Sequence, residues 1–509
     1  DPDSGTGQIS MFSEAIQKEL SKARELLIDA ANASEATKAE ATANAEAAQQ
    51  AERAAEPARL LFDAVVAARL GVLTPTAYTD PEQLQAAAAQ PSVQKPVGDV
   101  IPAHFPYLFP EVFLRQRPGF DVILGNPPWE KLKVEEHGWW SARFPGLRSL
   151  SQKDKNAAVA RHRDERPDLV RKYEADVAAA QAAKRIIAAG PYLGLTAGTD
   201  TDLMAAFSWR FYHQVRERGR IGVVLPRTAF AGSACEQWRR TLMASGDITD
   251  LTMVVNNRQW LFPRIHPQYT VALLAYQRNP VSDHHVCLQG PYSSREELLD
   301  GTSNDSLVSV FLADEVVRWA DNCALPLLPD AASLPVFSQL RRHPGLSDAQ
   351  EGWQFQPTRE LHTSDNKSLF DFNLESPATS NTLPIWTGRT FNIWEPGSGS
   401  PYAFANPEEV VPFLNERRRR SAARRETAFK GLAGSSLDDP DSLPLWSPRI
   451  AFRDVTNRTN SRTMVCCLIP PGVALVEVAP FLLRQRGSEE DEAYLLGVLS
   501  SIPFDWYAR

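Results

Sequence analysis

Cysteine is scarce in this chain of 509 residues: Cys235, Cys287, Cys323, Cys466 and Cys467 make an odd count without a C-x-x-C pair. That excludes a disulfide framework, argues against structural zinc, and fits free or buried thiols in a reducing cytoplasm. Long apolar runs are missing too. No stretch approaches the roughly 18 residues a membrane-spanning helix needs, and no charged-then-apolar leader opens the chain. Neither a membrane span nor a secretory signal is therefore expected. An excess of positive charge is also lacking. The formal net charge is −8, which speaks against a uniformly basic nucleic-acid binder. The balance is local, however: residues 1–95 stand at −6, whereas residues 381–467 stand at +3, with 12 basic against 9 acidic side chains.

With 43% hydrophobic and 23% charged residues, the chain has enough apolar material for two to four folded domains. After the turn-rich "DPDSGTGQIS", residues 11–71 are rich in Ala, Glu, Lys and Gln, with apolar residues at helical spacing at both ends. This pattern predicts two helices forming a hairpin joined near "NASEATKAEATAN". A proline-punctuated loop then leads to "FDVILG", a short continuous apolar run of the kind buried in a parallel sheet. Residues 150–190 are charged and alanine-rich, hence helical. Next come an amphipathic helix, a turn at Gly219 and the strand "RIGVVLP". The helix "EQWRRTLMAS" and the strands "ITDLTMVVNN" and "YTVALLAYQR" follow. Alternation of this sort predicts a doubly wound α/β layer. Residues 286–380 show few periodic segments, and 381–509 carry short strand-like runs between turns.

The stretch that carries chemistry is "FDVILGNPPWEKL", residues 120–132. Two consecutive prolines cannot donate ladder hydrogen bonds, so the strand must stop where they begin. Asn126, Pro127, Pro128 and Trp129 then stand at the end of a buried strand, where open α/β sheets place their sites. The amino group of adenine or cytosine is a poor nucleophile because its lone pair is delocalised into the ring. The Asn126 side-chain oxygen and the Pro127 carbonyl can accept hydrogen bonds from such a group and free its lone pair. The prolines hold the carbonyl outward, and Trp129 offers a face to a base extruded from its helix. Asn-Pro-Pro also ends strands for purely structural reasons. The same four letters serve methylation of glutamine side chains, so they specify amino-group methylation better than they specify DNA.

"FPEVF…GFDVILGNPPWEKLKVEE", "GRIGVVLP" and "FP…YTVALLAY" resemble successive blocks of amino-group DNA methyltransferases. The likeness is to the large methylases of type IIG restriction–modification and of BREX- or DISARM-like phage defence. "PRIAFRDVTNRTNSRTMVCCLIPPG" with "LLGVLSSIPFDWYAR" is similar to their target-recognition part. The resemblance covers roughly residues 50–285 and 380–509, and "FDVILGNPPW" is its specific portion. It implies a site-specific adenine-N6 DNA methyltransferase using S-adenosyl-L-methionine; adenine is preferred over cytosine N4 because Asn heads the motif. It also implies that Phe262, in the "FP" pair of "QWLFPRIHPQYT", helps pin the flipped base. His266 nearby reads as a loop histidine. In "RIAFRDVTNRTNSRT", Arg449, Arg453, Asn457, Arg458, Asn460 and Arg462 are residue types that contact phosphates and base edges. "ERRRRSAARRE" reads either as a strip along a DNA backbone or as a solvated helix face.

Family members bind the cofactor through a Gly-rich turn after their first strand, with an acidic residue ending the second. Here "DPDSGTG" has no strand before it and a helical hairpin after it. The expectation is therefore a methylase portion without the upstream cofactor-binding half, or one part of a split enzyme. A non-catalytic DNA-binding or scaffold module with a vestigial methylase core is the alternative. The expected fold is α/β: a partial Rossmann-like methyltransferase sheet, an N-terminal helical hairpin and a C-terminal mixed or β target-recognition domain. The expected divisions are 1–95 (hairpin and linker), 96–285 (catalytic half, with a helical insert at 150–190), 286–380 (connecting region) and 381–509 (recognition domain). Expected partners are double-stranded DNA, other defence-system subunits or the missing half, and no membrane. No metal site and no nuclease constellation stand out.

Overall fold

The structure, a computed structural model, describes residues 9–32, 36–196, 201–279, 283–301, 307–320, 322–343, 345–346, 352–373, 382–424, 427–430, 437–456 and 460–509. The "DPDSGTG" turn, Asn457 and Arg458 lie outside the described residues. The protein is α/β and divides into two compact units, Asp1–Arg341 and Arg342–Arg509. Among the described residues no helix is long and apolar enough to cross a membrane.

Unit 1 begins with the helices Ile9–Asn32 and Lys38–Leu70. Thr37 starts the second through a reciprocal capping box with Glu40, and Gly71 ends it in the left-handed conformation (φ 77°) that an L side chain avoids. The seam between them is built from Leu20, Ala23, Ala51, Ala55 and Ala58, small side chains that let the helices approach closely. Asp63, 1% exposed, ties the hairpin to the segment ahead of the first strand. It accepts from Gln94 Nε2 (3.1 Å) and bonds His104 Nε2 (2.8 Å), and Arg59 completes its shell.

The sheet of unit 1 has six strands: β1 (Phe120–Gly125), β2 (Val215–Pro226), β3 (Gly246–Val255), β4 (Thr270–Arg278), β5 (His285–Tyr292) and β6 (Val308–Leu312). Their order is β1-β2-β4-β3-β5-β6. β1 runs parallel to β2 and β3 parallel to β5, whereas β4 lies antiparallel between β2 and β3. Helices Leu203–Gln214 and Glu236–Ser245 cover one face, setting Met204, Trp209, Trp238 and Leu242 against Ile221, Val223, Leu251, Met253, Leu274 and Tyr276. Alternate residues of each strand supply that core, as the two-residue repeat of a strand dictates. The pairing of β1 with β2 jumps from Phe120↔Val215 to Val122↔Arg220. The extra residues include Arg218 (φ 60°) and Gly219, so the turn read from the sequence is a bulge inside the strand. Phe120 is set by the rings of Phe105, Phe109 and Phe113, with centroids 5.4–6.0 Å away.

β1 is the last strand of this sheet, and its apolar residues are not enclosed: Val122 is 55% and Leu124 79% exposed. The composition of "FDVILG" predicts a strand buried between neighbours; among the described residues only β2 pairs with it. At the other edge the sheet continues through β5 and β6 to Leu312, within the stretch where the sequence shows little periodicity.

Unit 2 holds a four-stranded sheet, β11-β10-β13-β7, and a three-stranded one, β12-β8-β9. The strands are β7 (Gln354–Thr358), β8 (Leu383–Trp386), β9 (Ala403–Ala405), β10 (Arg449–Phe452), β11 (Cys466–Ile469), β12 (Ala474–Leu475) and β13 (Phe481–Arg486). Helix Pro407–Ala422 packs Val410 and Leu414 against Ile385, Leu445 and Val476. Helix Glu489–Leu499, opened by a Ser488–Asp491 capping box, packs Leu495, Leu496 and Leu499 on Phe355, Ile450 and Leu482.

Candidate active site

Because β1, β2 and β3 run one way and β4 the other, the C-terminal ends of three strands and the start of the fourth share one end of the sheet. The register fixes this, with Gly125↔Val223, Pro226↔Val271 and Val255↔Thr270. Asn126–Trp129 leaves β1 at that end. Pro127 is buried and Pro128 exposed, so the turn is anchored by one ring and presents the other. Asn126 is exposed and makes no hydrogen bond to another described residue, which leaves its amide available to a ligand.

Trp129 is drawn inward. Its ring packs against the unit 1 core, edge-on to Phe262 (centroids 5.8 Å, 75°) and stacked with Tyr269 (6.0 Å, 12°). Both geometries belong to the favoured range for aromatic pairs. The structure thus brings Phe262 to Trp129 across more than 130 residues of sequence. Trp129 Nε1 is buried and has no hydrogen-bond partner among the described residues.

The Phe262 loop is held by Asn256, which is fully buried at the end of β3. Its Nδ2 donates to the carbonyls of Phe262 (2.9 Å) and Ile265 (3.2 Å). Its Oδ1 accepts from the backbone N–H groups of Leu261 (3.1 Å) and Phe262 (2.9 Å). Its own N–H donates to the Tyr269 carbonyl (2.9 Å), so one residue fixes both aromatic neighbours of Trp129. Arg258 and Gln259 adopt left-handed backbone conformations (φ 53° and 61°), a strain that this bonding over-determines. His266 is an exposed loop residue whose Nδ1 accepts from the Gln268 N–H (3.2 Å).

The chain after Trp129 is fastened by a short antiparallel bridge, in which Leu132 N–H donates to Thr201 O (2.8 Å) and Leu203 N–H to Glu130 O (3.0 Å). Asp202, between those partners, caps helix Leu203–Gln214 through Met204 N–H (2.9 Å). Burial pushes its carboxyl above the ordinary value, and burial followed by the Asp202 charge pushes the Tyr269 phenol up. Tyr269, Asn256 and Asp202 escape a reading of the sequence. The only trace of the first is its place at the head of "YTVALLAY".

In unit 2, Arg449, Arg453 and Arg462 make bonds within the fold. Arg449 is 3% exposed: its Nη2 bonds both oxygens of buried Glu360 (3.0 and 2.9 Å) and the Val473 carbonyl (2.7 Å). Burial pushes the Glu360 carboxyl up, opposed by the Arg449 charge and the Leu475 N–H. Arg453 donates to the Phe391 carbonyl (2.7 Å). Arg462 donates to Ser500 O (2.6 Å) and pairs with Asp505 (3.3 Å). Asn460 is exposed, and its carbonyl accepts from Arg509 (2.6 Å). Arg449 is thus enclosed in unit 2, whereas Arg453 and Arg462 are partly exposed and bond the fold through one or two of their nitrogens.

Among the described residues no group of three or more His, Cys, Asp or Glu is placed to hold a metal. The five cysteines are free thiols. As for S-adenosylmethionine, the described residues offer one wall only: beyond Asn126 the sheet ends at β1, with Val122 and Leu124 facing outward. These residues alone do not enclose a cofactor.

No family model matches the chain, and a search of curated proteins returns no match. Several solved structures are similar, among them restriction–modification enzymes. One is the type IIL restriction–modification enzyme MmeI in complex with DNA (10% identity, 75% of this chain, 42% of that chain, TM-score 0.33). Others are a DrdV–DNA complex (12%, 76% and 42%, TM-score 0.29) and the type IIG restriction endonuclease BpuSI (13%, 63% and 41%, TM-score 0.25). The chain spans about two fifths of the length of each.

Proposed function

We propose that this chain is the catalytic and target-recognition portion of an adenine-N6 DNA methyltransferase of a restriction–modification or phage-defence system. The observation that carries the reading is the exposed Asn126 beside a Trp129 backed by Tyr269 and faced by Phe262, at one end of the sheet. A base swung out of duplex DNA enters between Trp129 and Phe262, which touch here and must part to admit it. The Asn126 amide oxygen and the Pro127 carbonyl then accept from its amino group and localise the nitrogen lone pair. S-adenosylmethionine supplies the methyl group when bound. The open edge of β1 supports the further reading that another strand, from an upstream part or a second chain, completes the cofactor side.

The test is transfer of labelled methyl groups to unmethylated duplex DNA by the complete protein and its Asn126→Ala variant. Loss of one preorganised hydrogen-bonding group at a reacting centre should lower transfer roughly 10²–10³-fold. Because Asn126 is exposed, its melting temperature should not change. Equal transfer by the two proteins would sink the proposal.

A further inference from the structure

The arginine run Arg417–Arg420 lies on helix Pro407–Ala422, and its members have separate fates. Arg418 is turned inward at 2% exposure and bonds the Ser442 and Asp439 carbonyls (3.1 and 2.8 Å) and Asn415 Oδ1 (2.7 Å). Arg419 pairs with Asp438 (2.9 Å). Arg417 and Arg420, by contrast, stand one turn apart on the same side of the helix, and Arg424 follows just past its end at Ala422. Together with His362, they line one concavity of about 340 Å³.

The anionic side chains around it do not balance these charges. Arg417 bonds the backbone carbonyl of Glu360, whose carboxylate is committed to Arg449. Arg420 has Glu416 at 3.2 Å on a side chain 66% exposed. Arg424 is exposed, and no described carboxylate pairs with it. Asp365 is the acidic group on the lining, bonded by Ser364 Oγ (2.8 Å). Arg417 and Arg420 on the helix and Arg424 beyond its end at Ala422 are spread along the concavity, so the three guanidinium groups address a chain of negative charges rather than one anion. Guanidinium forks match phosphate oxygens in pairs.

We infer that this groove of unit 2 seats the sugar–phosphate backbone of duplex DNA, with Arg420 and Arg424 as its surface contacts and Arg417 at its base. The choice of DNA rests on the methylase reading. The groove positions the duplex without reading its sequence, since phosphate contacts carry none.

The experiment is fluorescence anisotropy of a labelled duplex titrated with the full chain across a range of NaCl concentrations. Wild type is compared with the Arg420→Ala/Arg424→Ala double variant and with Arg420→Lys/Arg424→Lys. The slope of log affinity against log salt should shrink by about 1 for each contact removed, hence about 2 in the Ala pair. The Lys pair should keep most of it, and both should melt as wild type does. A wild-type slope in the Ala pair overturns the groove and leaves the methylase reading standing. A reduced slope without methyl transfer by the complete protein supports the groove and removes the methylase reading. Competition by polyglutamate as strong as by DNA overturns the assignment to phosphates, and absence of duplex binding by wild type at low salt overturns both readings.

Discussion

The end of β1 and the start of β10 both carry polar residues that the sequence singles out, and the fold uses them in opposite ways. At β1 the amide of Asn126 is left outside with no partner among the described residues. At β10 the Arg449 guanidinium is turned inside against Glu360. The difference lies in what sets the direction of each side chain. After β1, two prolines fix the backbone themselves, so four consecutive letters determine what is presented. On β10, direction depends on which face of the strand is packed. That is decided by β11, β13 and the strand-like segment bearing Glu360, almost 90 residues away. The exposure of a polar residue in a rigid turn is therefore legible in the sequence, whereas that of one in a strand is not.

The sharpest way to break this contrast is Arg449→Ala. Removing one partner of a buried ion pair leaves the Glu360 carboxyl without its counter-charge, at a cost of about 3–5 kcal/mol. Denaturant unfolding should show that loss for unit 2; a change below 1 kcal/mol would mean that Arg449 is free for DNA after all. Next in size is Asn256→Ala, which strands two backbone N–H groups and two carbonyls of the Phe262 loop. The expected destabilisation is about 1–3 kcal/mol. It should be accompanied by altered Trp129 fluorescence as Phe262 and Tyr269 move; an unchanged spectrum would show that the loop is held by something else.

The smallest effect concerns acid. Burial pushes the Asp63 carboxyl up, but the His104 and Gln94 hydrogen bonds and the Arg59 charge outweigh it and hold it below its ordinary 3.8. The native state then keeps the charge where the unfolded chain takes up a proton. Its contribution is full above about pH 4 and fades as pH falls further. Unfolding midpoints measured from about pH 5 downward should therefore fall more steeply in wild type than in Asp63→Asn. Parallel curves would remove Asp63 from the account of the hairpin.

Some of the fold was open to reading because its signals are local. The helical hairpin shows in alanine content and spacing, and the strand ending at Asn126 shows in "FDVILG" followed by two prolines. The partnership of Trp129 with Phe262 came only through resemblance, since no spacing rule links them. Tyr269 and Asn256 were missed because their roles arise from strand order: β4 enters between β2 and β3, which brings both to Trp129. A run such as "YTVALLAYQR" reads as a strand whatever its neighbours. β5 and β6 escaped because Pro291 and the turn-forming residues around them interrupt the apolar pattern, and the groove of Arg417, Arg420 and Arg424 needed the structure to show which arginines face together.

The outward-facing Val122 and Leu124 have a practical consequence. A strand edge with unpaired N–H and C=O groups and apolar side chains is a template for adding strands from any neighbour, including another copy of itself. Only its first residues are guarded by charge, where Asp121 pairs with Arg115 (2.9 Å) and Arg216 (2.5 Å). The β1 edge is thus one place where this chain can associate with itself at high concentration, and Val122→Lys or Leu124→Lys should weaken that association.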